Sequence, residues 1–344
     1  VIGVGNASTI GADGTMKISG GGVVLNAGLT VAGVLQTENS PTFTLNNNAL
    51  DLSGGQAAGG GVLEASGLLN LGGITFDDKS TIKLNADTEL NSTTPISVKT
   101  IDMGAYGLKL GSATTDLTIS NNLTINQGQN TGIDTGSADL TLNSPVTVLG
   151  GGFKSIGGTI TFGPNTGATS FVENTRMELT DTVLVLQTDV NIRDLTIAGT
   201  STVSIEAGKT LSGAVTVSAG TLKLDKTGTL ASNISMSGGT LEADETLTLS
   251  GNLTQSGNIT IAVGENKTLG YSGAAVNLGA KTLTMSGKGT FNNTNALVLN
   301  NASSKLLLSN TGTVGKVSTS LASLGVDVNE DSTITSLAVG HTTP

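Results

Sequence analysis

The sequence predicts an all-β protein wound as a parallel β-solenoid, with coils of about 20 residues, over the whole of residues 1–344. Three observations predict it: short aliphatic words of period two, glycine and asparagine clusters between them, and a repeat near twenty residues in the second half. The words come first. Leu117-Thr118-Ile119 is followed at once by Leu123-Thr124-Ile125. The pattern returns at Leu140-Thr141-Leu142, Leu195-Thr196-Ile197, Leu247-Thr248-Leu249, Ile259-Thr260-Ile261 and Leu283-Thr284-Met285. Alternate side chains of a strand face opposite ways. Each word is therefore a minimal strand, with two aliphatics on one face around a β-branched polar residue on the other. Helical spacing is scarce, and a helical turn is expected only at "SLASLGVDV" from Ser320.

The corners come next. "NNN" at Asn46–Asn48, "GGG" at Gly59–Gly61 and Gly150–Gly152, and "SGG" at Ser237–Gly239 supply left-handed conformations for tight turns. Pro41, Pro95, Pro145 and Pro164 fall between words, where lost ladder hydrogen bonds matter least.

The repeat then orders the words. "AGTLKLDKTGTL" (Ala219–Leu230), "GGTLEADETLTL" (Gly238–Leu249), "SGNITIAVGENKTL" (Ser256–Leu269) and "GAKTLTMSGKGTF" (Gly279–Phe291) can be laid over one another. This alignment stacks Leu222, Leu241, Ile259 and Leu283 in one row, and Leu230, Leu247, Leu269, Phe291 and Val314 in another. A propeller needs blades of about 40 to 50 residues, and a sandwich needs strands of about five to six residues joined by hairpins. Coils before about residue 110 are expected to be less regular.

Composition agrees with a narrow interior. Gly accounts for 49 residues, Trp is absent and aromatics total 2%, so the core must be aliphatic. At 37% hydrophobic and 12% charged, the chain does not read as disordered, which requires low hydrophobicity and high charge. A net charge of -10, with Arg176 and Arg193 the only arginines, argues against nucleic acid, which needs clustered cations. No apolar run approaches the 18 or so residues of a spanning helix; "VLVL" at Val183–Leu186 is typical of the longest. No membrane insertion is expected, and "VIGVGNAST" carries no signal-peptide pattern. The absence of cysteine excludes disulfides and thiolate metal sites.

Phrases such as "SGGTLEADETLTLSGNLTQSGNITI" resemble the passenger regions of autotransporters and filamentous-haemagglutinin-type adhesins. The resemblance is one of style, Gly-Gly-Thr-Leu and Leu-Thr-Leu words over most of the chain. It implies a right-handed β-helix and an extracellular, bacterial cell-surface address. The C-terminal "VGHTTP" has no translocator-barrel pattern.

Some β-helices degrade polysaccharides, and that chemistry requires paired carboxylates. The candidates are Asp77-Asp78 and the group Glu242, Asp244, Glu245. Strand alternation lets only Glu242 and Asp244 converge easily. All five read as solvated corner acids. Tyr106 and Tyr271 are the only tyrosines, and the single histidine, His341, lies in the tail. No catalytic, metal or cofactor residues are therefore assigned, and the chain is not expected to be an enzyme. "GADG" at Gly11–Gly14 occurs once, without the repeat of calcium-binding solenoids, and "VDVNEDS" (Val326–Ser332) lacks EF-hand spacing. Ice binding would require flat ranks of Thr-x-Thr. Such triplets stand at Thr42–Thr44, Thr159–Thr161, Thr246–Thr248, Thr282–Thr284 and Thr333–Thr335, but the spacing predicts that they do not recur coil after coil. Asp116, Asp139, Asp194 and Asn258 occupy the matching places. Sequons such as Asn122-Leu123-Thr124 and Asn252-Leu253-Thr254 are read as ordinary composition.

A solenoid's terminal coils expose unpaired backbone and an open core. "VIGV" at the start and "STITSLAV" (Ser332–Val339) near the end carry no capping helix pattern. The expectation is a structural protein that polymerises head to tail with itself through its terminal coils into a surface filament, or forms an adhesin shaft facing a host or neighbouring cell.

Overall fold

A computed structural model describes residues 2–11, 14–19, 22–31, 34–38, 42–44, 50–51, 56–58, 62–70, 75–76, 81–92, 95–111, 116–120, 123–125, 132–143, 146–148, 151–164, 169–171, 175–309, 312–320, 325–329 and 332–339. The fold is an all-β parallel β-solenoid with turns of roughly 20 residues. Two compact units make up the chain, Val1–Arg176 and Met177–Pro344. In each, every pairing between the strands named below is parallel.

Unit 2 shows the plan most plainly. A coil runs through three strand columns, here faces I, II and III: for example Thr221–Leu224, Thr229–Leu230 and Asn233–Met236. Face I stacks Val183–Leu186, Thr200–Ile205, Thr221–Leu224, Thr240–Ala243, Ile259–Val263, Thr282–Ser286, Lys305–Ser309 and Val326–Asn329. Strands such as Thr210–Val217 run through faces II and III without a break. In unit 1 the same roles fall to Ile96–Val98, Asp116–Ile119, Asp139–Leu142 and Thr159–Phe162 on one column. Thr100–Asp102, Leu123–Ile125 and Val146–Val148 form a second.

The two-residue period sets the core. Leu117, Ile119, Leu140, Leu142, Ile160 and Phe162 are buried within 1% of full exclusion, while Thr118, Thr141 and Thr161 between them are partly exposed. The few aromatic rings share slots: Phe153 meets Phe162 edge to face at 6.0 Å, and Tyr271 stacks on Phe291 at 5.9 Å.

The predicted rows hold in part. Leu247 pairs with Leu269, Leu269 with Phe291, and Phe291 with Val314. Leu230, however, pairs with Leu249 rather than Leu247. The other row slips by the same amount, running Leu222, Leu241, Ile261, Met285, Leu308. Ile259 instead pairs with Leu283. A slip of two leaves every side chain on its original face, so hydrophobic pattern alone does not reject it. Hydrogen bonding at the corner does, because the Thr260 amide donates to the Gly239 carbonyl and fixes the pairing.

That corner is a column of left-handed residues. Asp181, Gly199, Gly220 and Gly239 have φ of 50°, 59°, 83° and 78°. The amides of Thr221, Thr240 and Thr260 donate to the carbonyls of Gly199, Gly220 and Gly239 at 2.7, 2.8 and 3.0 Å. A Cβ on Gly220 would lie 2.0 Å from the Gly199 oxygen, so close coil stacking here requires glycine. Pro95 precedes the strand Ile96–Val98, and Pro164 follows Thr159–Phe162, both outside the ladders. In the expected helical segment, Val326–Asn329 is a strand, and 321–324 lie outside the described residues.

Candidate functional site

Of the candidate acids, Asp77 and Asp78 lie outside the described residues, as do His341 and the middle of "GADG". Glu242 and Asp244 do converge. Both carboxylates reach the Lys223 ammonium, at 3.2 and 2.5 Å. The cause is register, since Lys223 is the cross-coil partner of Glu242, and Asp244 sits two residues on. The hydrogen bonds that Lys223 donates, first to Asp244 and then to Glu242, hold its pKa above the ordinary value. The lysine is therefore a protonated counter-ion held between the two carboxylates. Glu245 turns the other way and binds Lys267 at 2.6 Å. Among the described residues, no three His, Cys, Asp or Glu gather as metal ligands would. In "VDVNEDS", Asp327 is engaged with Lys305 at 2.5 Å.

The remaining charges are ordered rather than scattered. In unit 1, Glu89, Lys109, Asp134 and Lys154 follow one another as cross-coil partners, alternating in sign. Glu64, Lys83 and Asp102 form a parallel rank with the same alternation. Lys109 meets Glu89 at 2.9 Å, and that hydrogen bond raises its pKa. Opposite charges directly across a ladder are favourable, and like charges are not. The ranks thus favour the observed pairing over a shift by one coil position.

A second device escapes any motif search. At corners the next coil's amide has no main-chain acceptor, and a short Asp or Asn oxygen supplies one. Asp87 accepts from the Gly107 amide at 2.8 Å, Asp139 from Thr159 at 2.6 Å, Asp181 from Thr200 at 2.7 Å and Asp189 from Thr210 at 2.8 Å. Asn233 serves Asn252 at 3.0 Å, Asn252 serves Ala274 at 2.9 Å, and Asn258 serves Thr282 at 2.9 Å. Asn252, the head of a sequon, is one link in this series.

Inside, Tyr271 acts as a polar strut. Its hydroxyl donates to the Ala274 carbonyl at 2.6 Å and accepts from the Leu253 amide at 3.1 Å. Burial pushes its pKa up. One coil on, Asn293 occupies the same register position and binds the Asn295 and Lys316 carbonyls.

As expected, the Thr-x-Thr triplets do not stack on one another: Thr282 and Thr284 pair with Lys305 and Leu307, and Thr248 with Gly270. Single ranks do recur in successive coils: Thr200, Thr221, Thr240, Thr260 and Thr284 on face I, and Thr268, Thr290, Thr313 and Thr333 on face II. Face III carries Thr196, Thr216, Ser235 and Thr254. Coil lengths of 19 to 24 residues, as from Leu222 to Leu241 and Ile261 to Met285, hide this alignment from a fixed-period reading. The neighbouring rank stays interrupted: Thr248 is followed by Gly270 and Asn292. In unit 1, Asp139 stands in the place before Thr159.

No protein-family model, no curated protein and no solved structure matches this chain.

Proposed function

We infer that this is a structural protein, an extracellular bacterial solenoid of right-handed winding, in the style of autotransporter passengers and filamentous-haemagglutinin-type adhesins. It polymerises end to end into a surface filament or forms the shaft of an adhesin, and it performs no catalysis. The observation that carries the reading is the uninterrupted parallel stacking of face I from Val183–Leu186 to Val326–Asn329, which makes every coil a repeat of its neighbour. Solenoid stability is a sum of coil and nearest-neighbour terms, so each added coil extends the stack through the same kind of interface. Hydroxyl ranks on all three faces keep the outside wet. At the coil of Val326–Asn329 and Thr333–Val339, Val328, Leu337 and Val339 are 54%, 44% and 54% exposed. Their partners Leu308, Val317 and Thr319 are 0%, 1% and 3% exposed. A further parallel coil, of this chain or of a second copy, covers these side chains.

Electron microscopy of the purified chain across a concentration series tests this. Rods that lengthen with concentration are expected. Single rods of constant length would remove the filament and leave the shaft.

The five-deep threonine rank of face I supports ice binding as a second reading. That reading requires thermal hysteresis that disappears when Thr221 or Thr240 is replaced by a bulky residue. A polysaccharide-degrading alternative would require activity lost on substituting Asp77 or Asp244.

A further inference from the structure

Charge is unevenly placed around the coils of unit 2. The stretches 210–222, 227–241, 246–264, 268–280 and 289–304 contain no Asp, Glu, Lys or Arg. They hold the face II and III strands of five successive coils, from Thr210–Val217 to Thr290–Asn293 and Leu297–Leu299. Except for Lys281, the charges between 210 and 304 lie on face I or at the corner leading from it, where the Lys223, Glu242 and Asp244 cluster also sits. Exposed charges bound the neutral region along the stack: Arg193 and Asp194 on one side, Lys316 on the other. Because Thr210–Val217 pairs with strands of both faces, the neutral faces II and III adjoin along the stack.

We propose that this surface is where two copies of the chain lie side by side, each covering the neutral faces of the other about a two-fold axis. Removing a charge from water is costly, and the centres of protein interfaces are depleted in charge. A chain of net charge -10 repels its own copies, and this is the side on which two copies meet without bringing like charges together. A second copy also presents hydroxyl ranks at the same coil spacing of about 4.8 Å. An isologous contact therefore matches coil to coil across its whole length. Five coils of about 4.8 Å by eight residues of about 3.3 Å give roughly 600 Å² per copy. That is somewhat below the about 800 Å² of a standard stable interface, so pairing is concentration-dependent for single chains and is reinforced where many chains align. It thickens an assembly rather than lengthening it, and stands independently of end-to-end growth.

The absence of cysteine makes a direct test available. Thr248 is exposed on the middle coil, and Lys226 is exposed on the charged corner. On mild oxidation of the full chain, Thr248→Cys is expected to yield disulfide-linked dimers at least tenfold faster than Lys226→Cys. Sedimentation should show pairing that strengthens as salt screens the net charge and that is lost in Thr229→Lys/Thr248→Lys. Equal cross-linking of the two cysteine variants, pairing unaffected by the double lysine change, or chains that stay single at every concentration would each overturn the proposal. So would single chains that bind a neutral polysaccharide such as dextran, or ice, through Thr229 and Thr248, and this would assign the surface to that partner. In micrographs, width reports lateral pairing and length reports end-to-end growth, so either can fail alone.

Discussion

Replacing Gly220 by alanine separates two costs that usually travel together. Gly220 has φ of +83°, and an added Cβ would sit 2.0 Å from the Gly199 oxygen and 2.7 Å from its carbon. Gly208 has φ of +73° with nothing within 4 Å of an added Cβ. Alanine at Gly208 incurs only the left-handed conformational cost of about 1–2 kcal/mol, offset by about 0.4–1 kcal/mol of unfolded-state entropy. A net loss of about 0.5–1 kcal/mol follows. At Gly220 the methyl must move about 1.4 Å to reach ordinary contact, which disturbs the Thr221-to-Gly199 and Thr240-to-Gly220 hydrogen bonds. At about 1 kcal/mol each, these bring the expected loss to about 3 kcal/mol. Urea unfolding of both variants, followed by circular dichroism, gives the comparison. A Gly220→Ala variant within about 0.5 kcal/mol of Gly208→Ala would refute the claim that coils touch backbone to backbone at this corner.

Tyr271→Phe keeps the stack on Phe291 but leaves the Leu253 amide and the Ala274 carbonyl without their partner. Urea unfolding should register a loss of about 1–3 kcal/mol. Asn252→Ala strands the Ala274 amide and should cost about 1 kcal/mol, with faster hydrogen exchange at that amide. Lys223→Met leaves Glu242 and Asp244 facing each other. The pair is partly exposed, so the expected loss is below about 1 kcal/mol and shrinks in high salt. Stability should also fall in alkali. The pKa values of Tyr271 and Lys223 are raised from 10.0 and 10.5, so their contribution is present below those values and is lost as pH rises through the folded ones. Ultraviolet titration should show one tyrosine ionising late in the folded chain, a step absent from Tyr271→Phe.

The aliphatic words were legible because burial follows the strand period directly: Leu283 and Met285 are inside, and Thr284 is between them. Stacking was legible where corners are of even length, as from Leu247 through Leu269 to Phe291. Ile259 was misplaced by two because the corner at Ser256–Asn258 shifts the register without changing any side chain's face. Asn252 read as ordinary sequon composition, and Asp139 and Asn258 as interruptions of the threonine ranks, since each serves an amide 20 to 24 residues away. The alternation of Glu89, Lys109, Asp134 and Lys154 was hidden by steps of 20, 25 and 20 residues. The convergence of Glu242 and Asp244 was readable from strand alternation. The lysine between them belongs to the preceding coil and was not.

The left-handed corner also makes the stack divisible. Thr221 and Thr240 occupy equivalent places after Gly220 and Gly239, and their strands already pair residue for residue. Joining Gly220 directly to Thr240 removes one full revolution while each surviving layer keeps a neighbour of the same outline. Length in such a chain is a quantity that can be spliced, one layer at a time, without redesigning a core.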